Sequence, residues 1–243
     1  QALAHARLSF ETQTPDKSAA EHCQNMHMRG WWLATLAIAL RLNGTFVEVG
    51  VLEGELSACF LAILQSSRCR SSQWREFWAI DLWADQDDTY ADRAHARNDE
   101  QHKRLLETVV RLRPFWPRAR LFTLDSLTAA RLADNNSLDY VYLDARHDAC
   151  SALADMLAWW PKLRRGGILA GHDLHSQPGE YDTCADGSQK PGAVARALFA
   201  FTSWIGQNPV SNSHFAVNSF AYIKFMTWVE PAEIPGWRNM LGM

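Results

Sequence analysis

The residues best suited to chemistry in this sequence stand where apolar runs stop. Glu48-Val49-Gly50-Val51-Leu52-Glu53-Gly54 forms an E-x-G-x-x-x-G turn after one such run; Asp81 and Leu82 close a second and Asp125-Ser126 a third. Asp144 and, three residues on, His147 follow a fourth, and His172-Asp173 ends a fifth. Gly50 and Gly54 let backbone come close to a ligand at a helix N-terminus. A carboxylate about thirty residues further on, Asp81, is placed to accept hydrogen bonds from both hydroxyls of a ribose. A neutral imidazole such as His147 takes a proton near neutral pH. Each feature alone has a plainer explanation: an ordinary strand-to-helix turn for the glycines, a solvated loop for Asp81, a helix N-cap for Asp125 or Ser126.

A frame must hold these stops together. From about Thr45 onward apolar runs alternate with helical patterns, the signature of a parallel sheet covered on both faces. Strands are expected at 45–50, 77–81, 120–124, 138–144 and 167–173; helices run through Leu56, Phe60, Ile63 and Leu64 and over 100–112, 149–163 and 193–205. Residues 214–217 and 220–225, joined by Asn218-Ser219, read as an antiparallel hairpin. The expected class is α/β, a Rossmann-like doubly wound seven-stranded sheet with a C-terminal antiparallel hairpin and an N-terminal helical cap. One domain over 1–243 is expected, with 1–43 as the cap and 44–243 as the core. The Asp- and Arg-rich stretch 83–98 reads as a lid, and 175–192 as a second long loop.

Residues 138–173 are the most distinctive: Leu138-Asp139-Tyr140-Val141-Tyr142-Leu143-Asp144-Ala145-Arg146-His147-Asp148, then Trp159-Trp160-Pro161-Lys162-Leu163, then Gly166-Gly167-Ile168-Leu169-Ala170-Gly171-His172-Asp173. This pattern resembles class I S-adenosylmethionine-dependent methyltransferases of the methyltransferase domain family 24 type, in which a D-x-x-H strand end precedes W-W-P-K, G-G and G-H-D. Macrocin-type sugar O-methyltransferases are related to that type, and catechol O-methyltransferases more distantly. The resemblance runs from about Thr45 to Phe225, and Gly192-Ala193-Val194-Ala195-Arg196-Ala197-Leu198-Phe199 resembles the family's helix after strand five. The missing G-x-G-x-x-G agrees with it and disfavours a nicotinamide oxidoreductase.

The resemblance implies S-adenosylmethionine as cofactor, held by Glu48, Gly50, Gly54, Asp81, Leu82, Asp125, Ser126 and Asp144. It implies a divalent metal, Mg²⁺ or Mn²⁺, on Asp144, His172 and Asp173, and a catalytic set of His147, Asp144 and His172. His147 falls where catechol-type enzymes place their base. Macrocin-type enzymes carry an acid where this chain has Arg146, and arginine cannot serve as a base. They also carry two acids where this chain has His172-Asp173, and imidazole suits Mg²⁺ less well than carboxylate. Without a metal, His172 is the alternative base. The implied reaction is in-line attack of an acceptor oxygen on the sulfonium methyl, with a sugar hydroxyl favoured over a phenol.

Composition narrows the partners. A net charge of -3 and a pI near 6.3 remove the electrostatic case for nucleic acid or an anionic membrane, leaving a small hydroxylated acceptor and, as an assembly, a homodimer. The most apolar run, 31–40, is about half a bilayer span. Five cysteines, an odd number without C-x-x-C spacing, argue against a disulfide framework and for a reducing, cytoplasmic compartment. Of eleven tryptophans most are expected in the core, with Trp83, Tyr181, Asp182 and Asp186 as cleft walls. Two rivals stand beside the methyltransferase: a same-fold hydroxylase-like metalloenzyme and a catalytically silent binding module. Joint retention of Glu48, Asp81, Asp144, His147, His172 and Asp173 speaks against the second.

Overall fold

The computed structural model describes residues 23, 27–66, 74–85, 94, 97–174, 192–209 and 218–224. Most of the expected lid, the loop with Tyr181, Asp182 and Asp186, and the strand at 214–217 lie outside them. The described strands are β1 (Thr45–Val49), β2 (Glu76–Asp81), β3 (Ala119–Thr123), β4 (Leu138–Leu143), β5 (Leu163–Gly171) and β6 (Phe220–Ile223). They form one sheet in the order β3-β2-β1-β4-β5-β6, the first five parallel and β6 antiparallel to β5. The helices are α1 (His27–Ala39), α2 (Glu55–Ser66), α3 (Asn98–Leu112), α4 (Ser126–Ala130), α5 (Ala149–Trp159) and α6 (Ala193–Ile205).

Strand alternation sorts the core into two layers. Phe46, Phe77, Ala79, Tyr140, Tyr142 and Ile168 pack with α1 and α2 residues such as Leu33, Phe60 and Leu61. Their neighbours Val47, Val49, Ile80, Val141, Leu143 and Leu169 pack with Ala129 of α4, Met156 of α5 and Phe201 of α6. A strand buried on both faces needs apolar residues at successive positions, which is why β1 and β4 are buried throughout. This is the doubly wound Rossmann-like class. Strand order reverses between β1 and β4, and in such sheets a crevice opens there beyond the carboxyl ends.

The cysteine expectation is corrected. Cys23 and Cys59 form a disulfide with their Cα atoms 4.5 Å apart, and Cys150 is also disulfide-bonded. An odd count of scattered cysteines says nothing about which ones folding brings together. Here Gly30 is the cause: α1 lies so close on α2 that a Cβ at Gly30 would fall 2.4 Å from Cys59 Sγ. No described helix is long and apolar enough to cross a membrane.

Candidate active site

A cavity of about 720 Å³ occupies the crevice, a volume suited to a small-molecule ligand. One wall is the turn after β1. Gly50 has φ +85° and donates its N–H to Ile80 O at 2.9 Å, and a Cβ there would lie 2.0 Å from the carbonyl oxygen of Asp144. Only glycine fits between the two strand ends. Asp81 braces this turn: Oδ2 accepts from the amides of Val51 and Leu52, each at 2.9 Å, and Oδ1 from the amide of Trp83 at 3.0 Å. A carboxylate oxygen has two acceptor positions, so Oδ1 keeps one for a ligand hydroxyl. Leu82 lines the cavity beside it.

Two expected contributors act from behind the wall. Gly54, φ +77°, lets α3 approach, with a Cβ there meeting Thr108 at 3.1 Å, and it is not on the cavity surface. Trp83 is buried and donates its indole N–H to Leu52 O at 2.7 Å, propping the turn instead of facing the cleft.

Glu48 lies at the back of the cavity, buried, accepting a hydrogen bond from the Ser57 hydroxyl. Burial pushes its carboxyl up to about 8, so it is protonated at neutral pH. At the far end Asp125 caps α4, its Oδ1 accepting from Thr128 N at 2.9 Å, and both Asp125 and Ser126 line the cavity. Capping and ligand reading are thus compatible at this corner. Ser126 Oγ accepts from Trp159 Nε1 at 2.9 Å and its hydroxyl hydrogen-bonds Asp155. Burial pushes Asp155 up to about 7. Asp155 escaped the sequence reading, although it is the one acid within the otherwise apolar α5.

The opposite wall presents Arg29, Asp144 and His147, with the His172-Asp173 pair behind them completing a polar cluster. Asp144 follows β4, His147 precedes α5, and His172-Asp173 follows β5. His147 Nε2 is 3.2 Å from Asp144 Oδ1 and 3.1 Å from Asp173 Oδ2; His172 Nδ1 is 3.6 Å and 3.2 Å from the same two oxygens. Ligand atoms of Asp144, His147 and Asp173 all lie within 4.8 Å of one another, a spacing that could hold a metal ion. Asp173 adopts φ +55°, and Asn218 at the start of the β6 segment donates to its Oδ1 at 2.9 Å, leaving Oδ2 toward the cluster. Burial works to raise the Asp144 pKa, but the His147 hydrogen bond and the charges of His172, His147 and Arg29 outweigh it and hold the carboxyl below its ordinary value. Arg146, beside the cluster, is paired with Asp148 at 3.2 Å.

Arg29 was also missed. It comes from α1, outside the β-α core, and its Nη1 donates to Asp144 Oδ2 at 2.9 Å while Nη2 meets His172 Nε2 at 2.5 Å. Its one signal was a lone charge in the helix HMRGWWLATLAIA, and nothing in the spacing tied it to residues more than a hundred positions away.

No curated protein matches this chain in sequence. Among solved structures it is similar to the calicheamicin methyltransferase CalS11, at TM-score 0.57 and 14% identity over 91% of this chain and 90% of that one. It is similar to the O-methyltransferase NovP at TM-score 0.54 and 15% identity over 82% and 78% of the two chains. It also resembles an O-methyltransferase from Bacillus cereus in complex with SAH, at TM-score 0.52 and 15% identity over 90% and 95%. At these identities the likeness is one of fold. The model of a family described as a methyltransferase domain matches residues 47–174, from β1 through the His172-Asp173 pair. That match takes in more than half of the chain and every strand end on the cavity, so the chain belongs to this methyltransferase family, whose cofactor is S-adenosylmethionine.

Proposed function

We propose that this chain is an O-methyltransferase acting on a hydroxyl of a small molecule, a sugar hydroxyl being favoured, with help from a divalent cation. The observation that carries this reading is the juxtaposition of the Asp144, His147 and Asp173 ligand atoms with a cavity walled by the Gly50 turn. Similarity to NovP and to the Bacillus cereus protein, both O-methyltransferases, supports oxygen as the acceptor atom.

Bound S-adenosylmethionine supplies an electrophilic methyl group. The Gly50 cradle, where a Cβ has no room, fits close backbone contact with it; Asp81 Oδ1 would meet the ribose and the Asp125-Ser126 corner the adenine. A cation would be held by Asp144 and Asp173 with one imidazole, His147 or His172, and would make the acceptor hydroxyl more acidic. His147 is the proposed base. A proton gained by the ring would leave an imidazolium whose Nε2–H faces two carboxylate oxygens at 3.1 and 3.2 Å, which stabilises it as it forms. A ring nitrogen has one lone pair at most, so it accepts that proton or binds a cation but does not do both at once.

The two disulfide-bonded sites, Cys23–Cys59 and Cys150, favour an oxidising compartment over the cytoplasm first expected. The functional test is calorimetric titration of metal-stripped protein with S-adenosylhomocysteine, with and without Mn²⁺, followed by mass analysis of hydroxylated sugars and phenols incubated with S-adenosylmethionine. Micromolar binding, Mn²⁺ uptake that Asp144→Asn removes, and a methylated sugar would bear the reading out. Absence of homocysteine-ligand binding under every condition would sink it in favour of a silent binding module.

A further inference from the structure

The polar cluster contains two imidazoles, and the fold treats them differently. His172 is touched on both ring nitrogens: Nε2 meets Arg29 Nη2 at 2.5 Å, while Nδ1 is 3.2 Å from Asp173 Oδ2. Guanidinium is a donor only and remains charged in proteins. A neutral imidazole has one N–H and one lone pair, so a contact with guanidinium requires the lone pair to be on Nε2 and the hydrogen on Nδ1. Nδ1–H then points at carboxylate oxygens, which accept it. Every contact is satisfied by this one tautomer, and the opposite tautomer would set N–H against N–H at Nε2 and a lone pair against a carboxylate at Nδ1.

We infer that Arg29 is a positioning residue that locks His172 as the Nδ1–H tautomer and so removes it from both proton acceptance and metal ligation at the cluster. His147, whose Nε2 stands between Asp144 Oδ1 and Asp173 Oδ2, is then the imidazole left at the cluster for proton transfer. The same guanidinium donates to Asp144 Oδ2, while Oδ1 faces His147. The ligands left to a cation are therefore the carboxylates of Asp144 and Asp173, with His172 holding Asp173 in place from behind. The helix that carries this control is α1, fixed to α2 through the Cys23–Cys59 disulfide and the close packing at Gly30.

The inference concerns ring hydrogens, and a test by NMR needs neither cofactor nor turnover. Long-range proton–nitrogen correlation spectra of the full chain with nitrogen-labelled histidine, recorded above the ordinary histidine titration range, report which nitrogen carries hydrogen. The His172 signals are identified by their loss in His172→Gln. The expected wild-type result is hydrogen on Nδ1 and a bare Nε2. In Arg29→Met the His172 pattern should shift toward hydrogen on Nε2, and Arg29→Lys, which keeps the charge on a single donor group, should restore it in part. Hydrogen on Nε2 of His172 in the wild type overturns the inference, as does an unchanged pattern in a folded Arg29→Met protein. If Arg29→Met fails to fold by circular dichroism, the wild-type spectrum alone decides. Because S-adenosylhomocysteine binding is measured separately, failure of the methyltransferase reading and failure of this one are distinguishable.

Discussion

On the β1–β2 side of the cavity the surface is shaped mainly by backbone: Gly50 at positive φ, the amides of Val51 and Leu52, and a carboxylate at Asp81 that braces them. On the β4–β5 side stand side chains from three separated segments, namely Arg29, the Asp144–His147 connection and, behind them, the His172-Asp173 pair. The first kind of site is written into a few consecutive residues and suits a ligand that never varies. The second depends on tertiary assembly and can be retuned one side chain at a time, which suits the acceptor and its chemistry. If this division is right, changes on the β4–β5 wall should affect turnover and leave cofactor affinity alone.

The largest expected effect tests that separation directly. His147→Gln removes the imidazole that stands between Asp144 and Asp173, and kcat should fall about 10²–10⁴-fold, the usual contribution of a positioned acid or base. Calorimetry with S-adenosylhomocysteine should give an unchanged Kd. A parallel loss of affinity would mean that the two walls are one unit.

Next in size is the link between the walls. Replacing Cys23 and Cys59 together by serine opens a loop spanning 36 positions, and loop-closure entropy puts the loss near 4 kcal/mol. Denaturant unfolding measures it. Since the disulfide holds the helix that carries Arg29, the serine variant should also lose turnover more than cofactor affinity, and the reverse order would count against the division.

Glu48 lies where the walls meet, and it gives the comparison a pH dependence. Its folded pKa of about 8 exceeds the ordinary 4.5, so between those values the folded chain binds more protons than the unfolded one. Its contribution is fully present below the ordinary glutamate pKa and is lost as pH rises through about 8. Glu48→Gln should abolish this slope, making the variant relatively more stable than wild type at alkaline pH. Thermal melts of both proteins across that interval check it. A cationic cofactor bound nearby should draw the proton off Glu48, so calorimetry at neutral pH in buffers of different ionisation enthalpy should register proton release in wild type and none in the variant.

The contrast also explains what could be read from sequence. β-strand runs, the Gly50 turn and the Asp144, His147, His172 and Asp173 stops were legible because they follow local periodicity and end on the same edge of a parallel sheet. Arg29 was not, because its role depends on how α1 packs against α2 and the sheet. The Cys23–Cys59 pairing was hidden for the same reason: Gly30 permits the approach, and a glycine in a helix does not announce what will pack on it. Trp83 and Gly54 were misplaced by one layer, since position along a turn does not tell which side of the backbone faces the cavity. Asp155 could have been noticed as an acid in an apolar helix, but only packing shows that it answers Ser126.

The smallest effect belongs to the backbone-built side and separates capping from recognition. Asp125→Ala removes the acceptor for Thr128 N and should destabilise the chain by about 1 kcal/mol, the usual worth of an N-cap. Hydrogen bonds from Thr128 hold the Asp125 carboxyl below its ordinary pKa, so this stabilisation is present above that ordinary value and is lost as pH falls through the lowered one. Asp125→Asn caps equally well and should recover the stability. Titration with S-adenosylhomocysteine then divides the roles: if Asn restores stability and affinity together, the corner reads the ligand through the amides that the cap orders, as the rest of that wall does. Restored stability with weakened binding would give the carboxylate itself a place on the adenine and make this corner, alone on its side, a site built from a side chain.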